Sequence, residues 1–149
     1  MAAGKGTRMK SARPKVLHTL AGRSLLQHVL NAVAGLGADR TLVIVGHGAE
    51  AVRTQVAEHG ALGVLQEPQL GTGHAVQQAV PHLPDAGTTL ILNGDVPMIE
   101  ADTAAALVAA CGGTKLALLT VELSDPTGYG RIVRDPGQGD AVKAIVEHK

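Results

Sequence analysis

Apolar positions along the chain fall into blocks whose period switches between that of a helix and that of a strand. In "SLLQHVLNAVAGLG" the residues Leu25, Leu26, Val29, Leu30 and Val33 share one helical stripe, with Ser24 as N-cap and Gly35 or Gly37 as the stop. "TLVIV" (41–45) is a short apolar run rich in β-branched residues and closed by "GHG", which reads as a strand. "AEAVRTQVAEHG" then reads as a helix ended by Gly60, and "GVLQ" (63–66) as the next strand. The loop "EPQLGTG" leads to a helix, "HAVQQAVPHL", that Pro81 should end or kink, since proline has no N–H to give the preceding turn. "TTLILNGD" (88–95) is predicted as a buried strand running into a turn, "ADTAAALVAACGG" as a helix starting near Asp102 or Thr103, and "KLALLTVEL" (115–123) as a further strand. The last stretch, "DPTGYGRIVRDPGQGDAVKAIVEHK", reads as strand, turn, strand. Alternation of this kind predicts an α/β fold with a mostly parallel sheet, helices on both faces, and ligands at the carboxyl ends of the strands. No internal repeat, low-complexity tract or linker interrupts it.

Composition narrows the classes. A chain of 149 residues with 45% hydrophobic and 17% charged positions is one folded unit or a piece of one. Thirteen Lys and Arg balance thirteen Asp and Glu, so the basic front of the chain is a local feature, and nucleic acid is not a favoured partner. The single cysteine, Cys111, excludes an internal disulfide and a cysteine zinc cluster, as suits a reducing cytoplasm. No run is apolar enough to span a membrane and no signal-peptide pattern is present, so a cytoplasmic location is expected. With no Phe, no Trp and one Tyr, the core must be built from Val, Leu, Ile and Ala.

Candidate chemistry gathers in the loops at the predicted strand ends. "AAGKGTR" offers a flexible backbone at Gly4 and Gly6, with Lys5, Arg8, Lys10, Arg13 and Lys15 nearby, a combination suited to phosphate oxygens. Lys5 is followed by Gly6 and not by Ser or Thr, so this is no Walker loop; the alternative is a plain basic terminus. Gly46, Gly48 and Ala51 fit the relaxed dinucleotide fingerprint between strand and helix, with Glu67 roughly 20 residues on as a ribose carboxylate, which would make the chain an NAD-dependent oxidoreductase. The competing view is that these glycines only make a tight turn. Gln66 carries an amide able to pair with a nucleobase edge, and Gly71 and Thr72 stand at a helix start. Asp95, just past an apolar run, must reach solvent, cap a backbone group or meet a cation. Gly128 and Gly130 flank Tyr129, and Glu147 follows another apolar run. Each has a bland alternative as a turn residue or a solvated strand end.

Taken in order and spacing, AAGKGTRM, PKVLHTLAG, LQEPQLGTGHA, NGDVP, DPTGYGRI and AIVEHK resemble the uridylyltransferase half of the bacterial bifunctional UDP-N-acetylglucosamine pyrophosphorylases. The resemblance runs through the whole chain. It implies a Rossmann-like nucleotide-diphospho-sugar transferase fold that makes UDP-N-acetylglucosamine and pyrophosphate from UTP and N-acetylglucosamine-1-phosphate, for cell-wall precursor synthesis. It further implies that Ala2, Ala3 and Gly4 contact the nucleotide, that Arg8 is the catalytic arginine, and that Lys15 is a second cation on the phosphates. Gln66, Gly71 and Thr72 would hold the uracil. Asn93, Gly94 and Asp95 would line the floor, with Asp95 a Mg2+ ligand, and Gly130 and Glu147 would contact the amino sugar. Asn93 stands where the family often has an aromatic residue.

The same resemblance predicts that residues 1–149 are a partial nucleotidyltransferase domain, truncated at both ends. In the family an apolar strand precedes the first loop, and a left-handed β-helix that carries acetyl transfer and trimer formation follows. A homotrimer is therefore expected only of a full-length protein, and impaired activity of the fragment. A non-catalytic nucleotide-binding module is the remaining alternative.

Overall fold

The computed structural model of the chain describes residues 1–4, 6, 9–138 and 141–147, which group into two units, Met1–Lys115 and Leu116–Lys149.

In the first unit a 3-10 turn, Lys15–Leu17, leads to β1 (Thr19–Leu20) and β2 (Arg23–Ser24), paired antiparallel with Thr19 opposite Ser24. This small hairpin is absent from the sequence expectation. Its signal is the pair Ala21 and Gly22, which turn the chain with φ of 49° and 80°. Next comes α1 (Leu25–Val33). Ser24 caps it as predicted, its Oγ accepting from Gln27 N at 3.0 Å and donating to Gln55 Oε1 at 2.6 Å. After a single 3-10 turn, Gly37 ends the segment with φ of 67°.

β3 (Leu42–Val45), α2 (Ala49–Glu58) and β4 (Leu62–Leu65) form a βαβ unit, with the two strands parallel and Leu42 to Val45 opposite Leu62 to Leu65. α3 (Thr72–Ala79) stops before Pro81, which sits in a 3-10 turn, and α4 (Ala101–Cys111) closes at Gly112 with φ of 55°. Side-chain alternation along β3 builds two cores. Val43 and Val45 meet Leu26 and Leu30 of α1 and Val52 and Val56 of α2. Ile44, on the other face, meets Val64 and Ala75, which brings α3 to that side. Helices thus cover both faces of the parallel pair, as the alternating pattern predicts.

Residues 1–3 extend this sheet. Ala2 N donates to Ile44 O at 2.8 Å, while Met1 N donates to Leu92 O at 2.6 Å and Gly94 N to Met1 O at 2.8 Å. The last two bonds flank Asn93 in the manner of a parallel pair. The spatial order is therefore β4, β3, residues 1–3, residues 92–94. Ala2 packs into the α1/α2 core and Ala3 into the α3 core, the alternation of an extended chain.

Two predicted strands are corrected. Residues 88–95 are not a buried strand: the ladder reaches only Leu92 and Gly94, and Ile91 remains 48% exposed. Residues 115–123, predicted as a strand, have no ladder partner among the described residues, and Leu116 and Val121 are 86% and 73% exposed. Apolar β-branched composition favours a strand, but only a neighbouring backbone completes one.

The second unit contains the predicted hairpin, β5 (Arg131–Asp135) and β6 (Ala141–Val146), antiparallel with a bulge between Val133 and Arg134. Ahead of it, Asp125 accepts from both N and Oγ1 of Thr127, which holds its carboxyl below the usual range. Among the described residues no helix is long and apolar enough to cross a membrane.

Candidate functional site

Gly4, Gly46, Gln66 and Asp95 each follow the carboxyl end of one of the four neighbouring extended segments, so topology alone collects them on one edge of the sheet. There Lys15 Nζ donates to Asp95 Oδ2 at 2.7 Å, across 80 positions of sequence. Val16 is buried in the α1/α2 core, which fixes the 3-10 turn and the place of Lys15 beside it. The same side chain sets Asp95. A Cβ on Gly94 would stand 3.0 Å from Met1 O and 3.4 Å from both Leu26 Cδ1 and Val16 Cγ1, so glycine lets the chain pass close to the core before Asp95 turns out. The carboxylate that the sequence leaves looking for a cation has found one. Burial lowers the pKa of the Met1 amine and the Asp95 charge opposes that shift, so a second cationic group feels this acid.

Lys15 and Asp95 are 37% and 34% exposed, open to a ligand. Among the described residues no three His, Cys, Asp or Glu side chains cluster as a metal cage. A single, partly exposed carboxylate fits a hard cation that keeps its waters and arrives with phosphate oxygens, as Mg2+ does, and does not fit a protein-only zinc site.

Gln66 is 3% exposed. Its N–H donates to Val45 O at 2.8 Å, and its Nε2 donates to Gly71 O at 2.9 Å and lies 3.2 Å from His74 Nδ1. Gly71 takes φ of 99° ahead of α3, and both Gly71 and Thr72 are exposed. The predicted base-binding group is thus one connected corner. His74 was missed as a site residue by composition and spacing, and its only signal lay inside the QLGTGHA motif.

Of the first loop, residues 1–4 and 6 are described. Ala2 and Ala3 are buried, with the Ala2 N–H committed to Ile44 O, so their side chains serve the sheet. Gly4 is exposed with open space around it, and Gly6, at φ of 59°, lies so close to Lys15 that a Cβ would be 2.8 Å from Lys15 Cβ. Arg8 lies outside the described residues. Asn93 is exposed on the segment that carries Asp95. In the second unit, Gly130 and Glu147 are neighbours: a Cβ on Gly130 would be 3.4 Å from Glu147 Oε2.

The competing fingerprint fails on geometry. A Cβ on Gly46 would meet Gln69 Nε2 at 2.8 Å and the backbone oxygen of Ala3 at 2.9 Å, and one on Gly48 would meet Pro14 Cγ at 2.5 Å. A dinucleotide needs that space for its pyrophosphate. Here Ala3, Pro14 and Gln69 fill it.

The chain is 70% identical over 154 aligned residues to the Bifunctional protein GlmU of Methylibium petroleiphilum, covering 100% of this chain and 34% of that protein. It is 60% identical to the proteins of the same name from Polaromonas naphthalenivorans and Albidiferax ferrireducens, covering all of this chain and 33% of each. The chain therefore spans about a third of the length of these curated relatives. The family model for the MobA-like NTP transferase domain matches residues 1–133. With its α/β nucleotide-diphospho-sugar transferase fold and its convergent loops at one sheet edge, the chain belongs to the MobA-like NTP transferase family.

Proposed function

We propose that this chain is the uridylyl-transferring part of a cytoplasmic enzyme that converts UTP and N-acetylglucosamine-1-phosphate into UDP-N-acetylglucosamine and pyrophosphate. The observation that carries the proposal is the meeting of Lys15 and Asp95 at the carboxyl edge of the sheet. A cation for phosphate oxygens and a carboxylate for a phosphate-bound metal stand side by side there, with the amide of Gln66 following β4 on the same edge. The resemblance of the motifs throughout the chain supports the choice of uracil and of the amino sugar.

In this reaction a sugar-phosphate oxygen attacks the α-phosphorus of UTP. The bond from that phosphorus to the bridging oxygen breaks, and pyrophosphate leaves with the electron pair. Charge develops on the non-bridging and leaving oxygens, so placement and neutralisation supply most of the catalysis and no protein nucleophile is required. Lys15, released from Asp95, neutralises phosphate, and Arg8 does so at the reacting centre. Gly4 and Gly6 let backbone N–H groups approach the phosphates. Gln66, Gly71 and Thr72 receive the base, while Gly130 and Glu147, adjacent in their own unit, receive the sugar. Asp95 holds Mg2+, which when bound supplies charge neutralisation on the phosphates.

The test is calorimetric titration of the whole chain with UTP and with NADH, with and without magnesium, joined to an assay of pyrophosphate release. We expect UTP binding that magnesium strengthens, no NADH binding, and pyrophosphate release that requires N-acetylglucosamine-1-phosphate. Binding of NADH with indifference to UTP would overturn the proposal.

A further inference from the structure

Gln66 can read a base only if its amide presents a fixed end, because the oxygen accepts and the nitrogen donates. Its nitrogen is fixed by Gly71 O, a pure acceptor, at 2.9 Å. The same nitrogen lies 3.2 Å from His74 Nδ1. Facing an N–H donor, Nδ1 must carry the lone pair, so the ring is protonated at Nε2. On the far side Gln78 Nε2 lies 3.1 Å from His74 Nε2, two nitrogens that would both bear hydrogen. One amide must yield, and distance decides which. The other bond of Gln78, to His74 O, is long at 3.4 Å, whereas Gln66 is buried and held by the shorter bond to Gly71. Turning the Gln78 amide puts its oxygen against Nε2–H and completes a chain running from Gly71 O through Gln66 and His74 to Gln78.

We infer that His74 is a positioning residue that locks the Gln66 amide with its nitrogen inward, so that Oε1 faces the ligand and selects a base carrying an imino N–H over one carrying a bare ring nitrogen. Among the described residues no hydrogen bond occupies Gln66 Oε1. The one fully enclosed side-chain polar atom without a partner among them is His18 Nε2, so Oε1 is not sealed in. Uracil presents N3–H at that edge and cytosine presents an unprotonated N3. An amide held in one orientation welcomes the first and repels the second. This inference rests on the nucleotide-binding function proposed above and adds to it the device that fixes the base.

The experiment compares UTP and CTP affinity, measured by calorimetry, in the parent chain, in His74→Leu and in His74→Asn, whose side-chain oxygen can accept in place of Nδ1. The parent should prefer UTP. His74→Leu should narrow the preference by about tenfold, the worth of one hydrogen bond, while His74→Asn should keep the parent ratio. An unchanged ratio in His74→Leu, or equal losses in both variants, overturns the role of His74. Independently of any ligand, the 15N shifts of the His74 ring should report a bare Nδ1 and a protonated Nε2, and the opposite tautomer overturns the inference. Failure of the nucleotide proposal itself would show in the parent, as absence of UTP binding, whereas failure of this inference shows only in the variants or the tautomer.

Discussion

Lys15 and Asp95 neutralise one another at the sheet edge, and their exposure limits what that contact adds to folding. A partly exposed ion pair contributes about 0 to 1 kcal/mol, so Asp95→Asn should shift the unfolding free energy by no more than about 1 kcal/mol. On the proposed function the same change should abolish the part of UTP affinity that magnesium adds, and Lys15→Ala should weaken UTP binding about 10- to 100-fold, the range for a charge-assisted hydrogen bond. Calorimetry with and without magnesium, beside urea unfolding, separates the two roles. A large stability loss with unaltered magnesium dependence would make the pair structural. Asp95 was legible in the sequence as an acid needing a partner, but its partner was not. Nothing in the sequence between them, 80 positions apart, states that the turn after Pro14 returns to the end of residues 92–94.

Elements with strong local signals formed where the pattern put them. Ser24 caps α1, Pro81 follows the end of α3, and glycines in the left-handed region close the 3-10 turn after α1 and the helices α2 and α4. The glycines between β3 and α2 were legible as a turn, yet the sequence left open whether the turn served a ligand. Packing resolves that, because Pro14 and Ala3 fill the space beside them. Gly48→Ala combines positive φ with an overlap on Pro14 Cγ, and should destabilise the chain by about 1 to 3 kcal/mol, read as a lower urea midpoint at unchanged slope. A midpoint equal to that of the parent would mean that Pro14 moves freely. The strands predicted at 88–95 and 115–123 fail for the converse reason. Their composition favours β structure, but ladder bonds depend on a neighbour that composition does not name.

Across the whole molecule, the first residues tie the sheet together, since Met1 bonds to Leu92 and Gly94 while Ala2 bonds to Ile44. Burial holds the Met1 amine below its usual pKa of 8.0, with the charge of Asp95 acting against the shift. Between that lowered value and 8.0 the unfolded chain binds a proton that the folded chain does not. Stability should therefore rise with pH through this interval and level off above 8.0. Urea unfolding at a series of pH values checks this, and acetylating the amine should flatten the slope. A slope that survives acetylation would assign the effect to another group. Residues 1–3 thus act as part of the sheet.

The sequence by itself determined the element types and their caps, the alternation that covers both faces of the β3–β4 pair with helices, and the family, because these depend on periodicity, on backbone preferences and on short motifs. Only the tertiary structure decided that Lys15 meets Asp95, that Gln66 is held by Gly71 and His74, that Ala3, Pro14 and Gln69 fill the space beside the Gly46 and Gly48 turn, and that one apolar run pairs only at residues 92–94 while another has no ladder partner among the described residues. Those outcomes depend on which distant backbones become neighbours, a property of chain topology and packing that local composition does not encode.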